Sequence, residues 1–311
     1  MKIFNNSSIL KNYKGNALAI GNFDGVHKGH QKVFNRAKKL AKKNNIKFGV
    51  LTFDPLPVMF FNKSISNYKL TSKEQKFTLF KKYGVNFVAN ITFNKKFSMI
   101  TAEKFIKNII YQKINPKLIF VSNNFKFGNK RKGNVNLIQR LSKKYDYKLK
   151  KVSPYKYKGI ISSTRIRKSL QKGNLNLANK LLSRTWFIDG IVTKGKKLGR
   201  KLGYRTCNIR IKNYIVPKVG IYVVKVSIGN KKKIYNGISY LGSRPTFAGK
   251  EVFLETYIFG IKKNLYQKKL RIYFLKFIRG DKKFKNQEQL IKQMNKDVIL
   301  AKKGLKPKLV I

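Results

Sequence analysis

Apolar runs and helical spacings alternate through the first half of the chain. Residues 17–23 form a largely apolar run of strand length, and over 28–44 the positions Val33, Phe34, Ala37, Leu40 and Ala41 share one helical face. Residues 48–53 predict a second strand, ended by Asp54-Pro55. Thr71 followed by Glu74 makes a capping box, and the helix it opens stops at Gly84. Residues 85–93 have strand character, 102–114 helical character and 118–122 strand character again. A helix over about 135–144 and a strand near 147–152 complete the series. Repeated β–α–β units predict a mostly parallel sheet that takes ligands at the carboxyl ends of its strands.

After about Arg184 the period changes. Short β-rich runs at 186–193, 220–228, 233–240, 252–259 and 269–277 are separated by Gly, Asn and Lys turns. One closing helix, over about 286–302, carries Leu290, Ile291, Met294, Val298 and Ile299 at helical spacing. The expectation is a small antiparallel barrel with a C-terminal helix. The switch of period, without a flexible linker, divides the chain into domains 1–184 and 185–311.

Charge complicates this picture. The 311 residues carry 72 Lys+Arg against 11 Asp+Glu, a formal net charge of +61, and dense cations of this kind bind nucleic-acid phosphates. The distribution argues otherwise. Only 12 of these cations are Arg, and the 60 Lys are spread over every segment without forming a stripe. Asn, Ile, Phe and Tyr are also abundant and Pro numbers 7, a joint bias that resembles the codon usage of an AT-rich genome. No specific nucleic-acid partner is expected, although the field attracts anions such as ATP. An aromatic content of 13% excludes a disordered basic tail. The single cysteine, Cys207, excludes an internal disulfide and points to a reducing, cytoplasmic compartment. Two histidines leave little room for a zinc site. Without a signal-like run or a bilayer-length apolar segment, no membrane partner is expected.

Both histidines lie in Gly21-Asn22-Phe23-Asp24-Gly25-Val26-His27-Lys28-Gly29-His30, where the chain leaves a strand, turns through glycines and enters a helix. Unpaired amides and the positive end of the helix dipole favour phosphate at such a place. Imidazoles at i and i+3 on the first turn add donors to the same oxygens. The alternative is a helix-capping turn with incidental histidines.

GNFDGVHKGH resembles the HxGH signature of nucleotidylyltransferases, and in its longer form is similar to bacterial bifunctional riboflavin kinase/FAD synthetases. Leu51-Thr52-Phe53-Asp54-Pro55, Asn124-Phe125-Lys126-Phe127-Gly128 and Ser162-Ser163-Thr164-Arg165-Ile166-Arg167 agree in order, and the resemblance covers nearly the whole chain. It implies an α/β protein: a Rossmann-like FMN adenylyltransferase domain with a parallel sheet, followed by a riboflavin kinase barrel. His27 and His30 would hold ATP phosphates and stabilise charge on the α-phosphorus as FMN phosphate attacks it. Positioning and electrostatics carry such a transfer. Gly21, Phe23 and Gly29 belong to the same ATP-binding segment. Ser163 and Thr164 offer hydroxyls and amides at a helix start and Arg167 a guanidinium, all toward phosphate; a plain N-cap and a solvated charge are the alternatives. Asn124 would contact nucleotide or flavin phosphate, or be a turn asparagine. Asp24 and Asp54 serve as turn residues. One departure stands out: where the family reads His-Pro after Thr-Phe-Asp-Pro, this chain has Leu56-Pro57, so a donor is missing.

In the second half, Gly190–Gly195 leads into Gly199-Arg200-Lys201-Leu202-Gly203-Tyr204-Arg205-Thr206-Cys207-Asn208. A glycine-rich turn offers amides to phosphate, and Thr206 and Asn208, at i and i+2 on a strand, project to one face. Hard oxygen donors of this kind suit Mg²⁺ held with ATP phosphates; a polar turn beside a strand is the alternative. The resemblance puts Gly199 and Gly203 at the ATP, Thr206 and Asn208 at the metal, Arg244 and Thr246 of the GxRPTF loop at the flavin, and Glu255 at the proton of the ribityl hydroxyl. A salt-bridged strand glutamate is the alternative for Glu255. Arg205 replaces the family's Pro, and Cys207 its small Ala as a packed side chain. The reading is a bifunctional enzyme with substrates riboflavin, FMN and ATP and the metal Mg²⁺. Retention of one activity, in view of Leu56 and Arg205, and a basic nucleic-acid-binding protein are the alternatives.

Overall fold

A computed structural model describes residues 1–6, 8–194, 203–229, 233–246, 249–261, 263–305 and 309–310; of 244–246, 249 and 250 only the backbone is described. The chain divides into two compact units, Met1–Ser66 with Lys73–Ser162, and Asn67–Ser72 with Ser163–Ile311.

The first unit holds β1 (Lys2–Phe4), β2 (Ala17–Ile20), α1 (Lys28–Lys43), β3 (Phe48–Asp54), α2 (Pro57–Phe61), α3 (Lys73–Lys82), β4 (Phe87–Thr92) and α4 (Lys95–Ser98). Helix α5 (Ala102–Lys104) follows, continuing in wider turns over Phe105–Ile114. Then come β5 (Leu118–Ser122), the short pair β6 (Lys126–Phe127) and β7 (Gly133–Asn134), α6 (Val135–Arg140) and β8 (Lys148–Val152). The main sheet has six parallel strands in the order β1-β4-β3-β2-β5-β8. Helices cover both faces, so the central strands are apolar on both sides. In β2, Leu18 and Ile20 join one core while Ala17 and Ala19 join the other. The chain runs outward from β2 through β3 to β4, then returns to the far side of β2 for β5. That reversal makes the carboxyl end of β2 the place for a ligand.

The second unit holds α7 (Ser163–Gln171), α8 (Leu175–Leu182), β9 (Phe187–Thr193), β10 (Thr206–Arg210), β11 (Gly220–Ile228), β12 (Ile234–Thr246), β13 (Gly249–Ile258), β14 (Lys269–Arg279) and α9 (Gln287–Lys303). Its six strands close into a barrel, β10-β13-β12-β11-β14-β9, with every pairing antiparallel. Along β13, Val252, Leu254, Thr256 and Ile258 are buried while Phe253, Glu255 and Tyr257 are half-buried, the alternation of a wall with an inner and an outer face. The unit begins at Ser163, ahead of residue 184, because the apolar faces of α7 and α8 belong to the barrel. Leu175, Ala178, Leu181 and Leu182 are buried, and the Asn179 Nδ2 donates to the Phe274 carbonyl of β14 at 3.2 Å. The switch of period falls after α8, whereas packing groups α7 and α8 with the barrel.

Helix α9 is pinned to the barrel by a buried ion pair. Arg279 of β14 reaches both carboxylate oxygens of Asp297, Nη2 at 2.6 Å and Nε at 3.0 Å, and Gln293 donates to the same carboxylate at 2.9 Å. Asp297 is 2% exposed. Asp297→Ala leaves the guanidinium buried and uncompensated, so a loss of about 3 kcal/mol is expected. At roughly 2–4 °C per kcal/mol for a unit of this size, calorimetry should show the second unit melting about 10 °C lower.

Candidate active sites

The turn between β2 and α1 is left-handed at three residues, Phe23 (φ 49°), Gly25 (φ 83°) and Val26 (φ 40°). It delivers His27 to the N-cap of α1, where the Nδ1 accepts the His30 amide at 3.4 Å. The sequence suggested both histidines on the first helical turn; His27 is instead the cap residue itself. The two imidazoles stack with centroids 3.6 Å apart and planes 20° apart. Gly29 permits this, since a Cβ there would lie 3.1 Å from the His27 ring. His27 is 5% exposed. Phe23 is buried as an anchor, its ring against His30, Phe34 and Phe80 at 5.2, 4.8 and 6.1 Å. Gly21 opens the turn directly after β2. The two stacked rings stand at the start of a helix and at the sheet's reversal point, where amides and the helix dipole favour an anion.

The strands that flank β2 lead into two further motif positions. Asn124 is exposed in the turn after β5, and its Oδ1 accepts the Ser122 hydroxyl at 2.9 Å. Leu56, the N-cap of α2, is 4% exposed, so the position that lacks the family's histidine is packed as a hydrophobe. Ser163, Thr164 and Arg167 open α7 and belong to the second unit. Arg167 is 7% exposed and not a solvated charge: its Nε donates to the Tyr68 carbonyl at 2.9 Å and the guanidinium lies 3.7 Å over the Tyr68 ring.

On the barrel, Thr206 and Asn208 of β10 share the outer face, and Asn208 pairs in register with Glu255 of β13. Directly opposed residues of an antiparallel pair point to the same side, so Asn208 and Glu255 are neighbours on one surface. Tyr240 of β12 flanks Glu255 on the other side. Gly203 has φ 82°, a value that favours glycine, just before Tyr204. The Tyr204 hydroxyl donates to Asn295 Oδ1 on α9 and its ring meets Tyr257 edge-on at 5.2 Å, which ties the segment before β10 to the C-terminal helix. Cys207 faces inward opposite Thr256, and burial pushes its thiol up to about 11, as for an inert packed side chain. Gly199 lies outside the described residues. Arg244 and Thr246 stand on β12 opposite Glu251 and Gly249, and only their backbone is described.

Comparison with known proteins covers both halves of the chain. Residues 9–165 match the FAD synthetase family and residues 182–305 the riboflavin kinase family. A bifunctional riboflavin kinase/FMN adenylyltransferase of Buchnera aphidicola (subsp. Schizaphis graminum) is 40% identical, over 97% of this chain and 98% of its own. The protein of that description from Escherichia coli K12 is 31% identical, over 93% and 92%. The chain belongs to this family. A crystal structure described as a macrolide-efflux protein from Streptococcus pneumoniae shares the fold, with a TM-score of 0.82 and 29% identity over 96% of this chain and 98% of that one. Neither matched family carries that description, and no helix among the described residues is long and apolar enough to cross a membrane.

Against the family's motifs, one feature escaped sequence reasoning. Phe60, Phe61 and Phe93 meet edge-to-face, with centroids 5.3–5.7 Å apart, where β3 and β4 end. Phe61 is 67% exposed. The signal was Phe60-Phe61 beside Pro57, hidden among 23 phenylalanines.

Proposed function

We propose that the family's two activities run at two separate sites of this chain. The protein phosphorylates riboflavin with ATP to give FMN and ADP, and adenylylates FMN with a second ATP to give FAD and pyrophosphate. The adenylyl transfer is assigned to the first unit. The stacked His27–His30 pair is the observation that carries this assignment: it presents two imidazoles and a helix start to the phosphates. The FMN phosphate oxygen attacks the α-phosphorus, pyrophosphate leaves, and His27 and His30 stabilise charge as it builds on the phosphoryl oxygens. Gly21 and Gly29 keep the cradle open, Phe23 anchors it, and Ser163, Thr164, Arg167 and Asn124 are assigned to phosphate on their motifs. The domain line for chemistry stays at 184/185, although α7 and α8 pack with the barrel.

The kinase reaction is assigned to the outer barrel face. Glu255 takes the proton from the ribityl 5′-hydroxyl as its oxygen attacks the γ-phosphorus and ADP leaves. Thr206 and Asn208 supply hard oxygen donors beside it, a donor set that fits Mg²⁺. When bound, the ion offsets charge on the ATP phosphates. Gly199 and Gly203 are assigned to the nucleotide, Arg244 and Thr246 to the flavin. Incubating the purified protein with riboflavin, ATP and Mg²⁺ and separating the products by chromatography tests the reading. FMN followed by FAD is expected; FMN alone, with none made into FAD, would leave only the kinase and point to Leu56.

The exposed Phe61 and its partners Phe60 and Phe93 are assigned to the isoalloxazine ring of FMN, a flat aromatic that stacks on such a surface. Phe61→Ala is expected to raise the KM for FMN about tenfold, the scale of a lost aromatic contact, with the KM for ATP unchanged. Steady-state assays of FAD formation check this. The lone, packed Cys207 supports a cytoplasmic location, and the even spread of lysine supports small-molecule substrates without a specific nucleic-acid partner.

A further inference from the structure

We infer that Thr52, Lys76 and Gln31 are positioning residues for adenylyl transfer, which hold the phosphate turn in its strained shape. The inference rests on the reading that this turn cradles ATP. Two of its left-handed residues, Phe23 and Val26, are not glycine, and Val26 is β-branched. Such conformations persist only where the surroundings over-determine them. Here each end of the turn is held by a buried side chain. At the entry, the Thr52 Oγ1 donates to the Asn22 carbonyl at 3.1 Å. At the exit, the Gln31 Nε2 donates to the Val26 carbonyl at 2.8 Å. Thr52 is 0% and Gln31 9% exposed, so water does not compete for either bond.

Lys76 gives the entry hold its direction. Its Nζ donates to Thr52 Oγ1 at 3.2 Å from α3, and it is 6% exposed, the only lysine buried to this degree among the described residues. An ammonium has no acceptor site, so the hydroxyl must accept from Lys76, and its single proton goes to Asn22. The chain Lys76–Thr52–Asn22 therefore runs from a buried cation to the first peptide of the turn, and polarisation strengthens each link. These bonds fix the amides ahead of His27 before ATP arrives, and misplacement of about 1 Å in a preorganised site costs on the order of 100-fold.

The test pairs an isosteric loss with a conservative rescue in the full chain. Thr52→Val removes the hydroxyl and keeps the shape; Thr52→Ser keeps the hydroxyl. FAD formation from FMN is followed as kcat and KM for ATP, with riboflavin phosphorylation measured on the same samples. Thr52→Val is expected to lower kcat/KM for ATP by about 10–100-fold and Thr52→Ser by less than about threefold, the kinase reaction being unchanged. Lys76→Met acts on the same chain of bonds, so the double variant with Thr52→Val should be no worse than the worse single one. Hydrogen exchange in a peptide covering residues 21–27 should quicken in Thr52→Val and in Gln31→Met. Should Thr52→Val not fold, Gln31→Met decides by the same two readouts. A loss in Thr52→Ser as large as in Thr52→Val would reassign Thr52 to packing and overturn the inference, as would unchanged kinetics and exchange in folded Thr52→Val. His27→Ala with FAD formation intact would instead remove the reading of the turn itself.

Discussion

With both His27 and His30 replaced by alanine, FAD formation from FMN is expected to fall by at least about a thousandfold, since each lost donor to a developing oxyanion costs about 100–1,000-fold. Riboflavin phosphorylation should continue at its normal rate. No other histidine exists in the chain to substitute. His27 also caps α1, and losing a cap costs about 1 kcal/mol. His27→Asn separates the two roles, because asparagine is a good N-cap acceptor without the imidazole. If His27→Asn is as inactive as His27→Ala while melting like the natural protein, the loss is chemical. Separate assays starting from FMN and from riboflavin make the comparison.

Glu255→Gln should give the mirror image. The amide keeps the shape of the side chain opposite Asn208, so β10 and β13 stay in register, but it cannot accept the hydroxyl proton. A positioned general base contributes about 100–10,000-fold, so FMN formation is expected to drop about a thousandfold. FAD formation from supplied FMN should be untouched. Supplying FMN matters, because a dead kinase starves a working adenylyltransferase. One variant that lost both reactions while folded would contradict the assignment of two sites, and the two variants together test it from opposite sides.

Much of the fold was legible because hydrophobic period is a local property. Apolar runs marked β2 to β5 within a few residues, and the change of period marked the barrel. The ends were less legible: the helix expected over 71–84 runs only Lys73–Lys82, and the strand expected over 233–240 extends to Thr246. Strand length in a barrel is decided by the partner's pairing, which period does not carry. The helix 102–114 was expected, but not its wider winding after Lys104.

By itself, the sequence determined which chemistry-bearing groups this protein owns: two histidines spaced for one helix start, a Thr-x-Asn strand, and few acids, one of them Glu255 in a β-rich run. Motif residues are near neighbours along the chain, so their order survives in one dimension. Tertiary structure alone decided how distant residues act on them. Lys76 reads as one lysine among 60, and only the pairing of β3 with β4 and the placing of α3 bury it under Thr52. Arg167 reads as a guanidinium for phosphate or a solvated charge, and only the fold brings the Tyr68 ring beneath it. Helices α7 and α8 precede the switch of period, yet the barrel claims their apolar faces. In each case the deciding partner lies far along the chain, and burial is a property of the folded packing that no local pattern encodes.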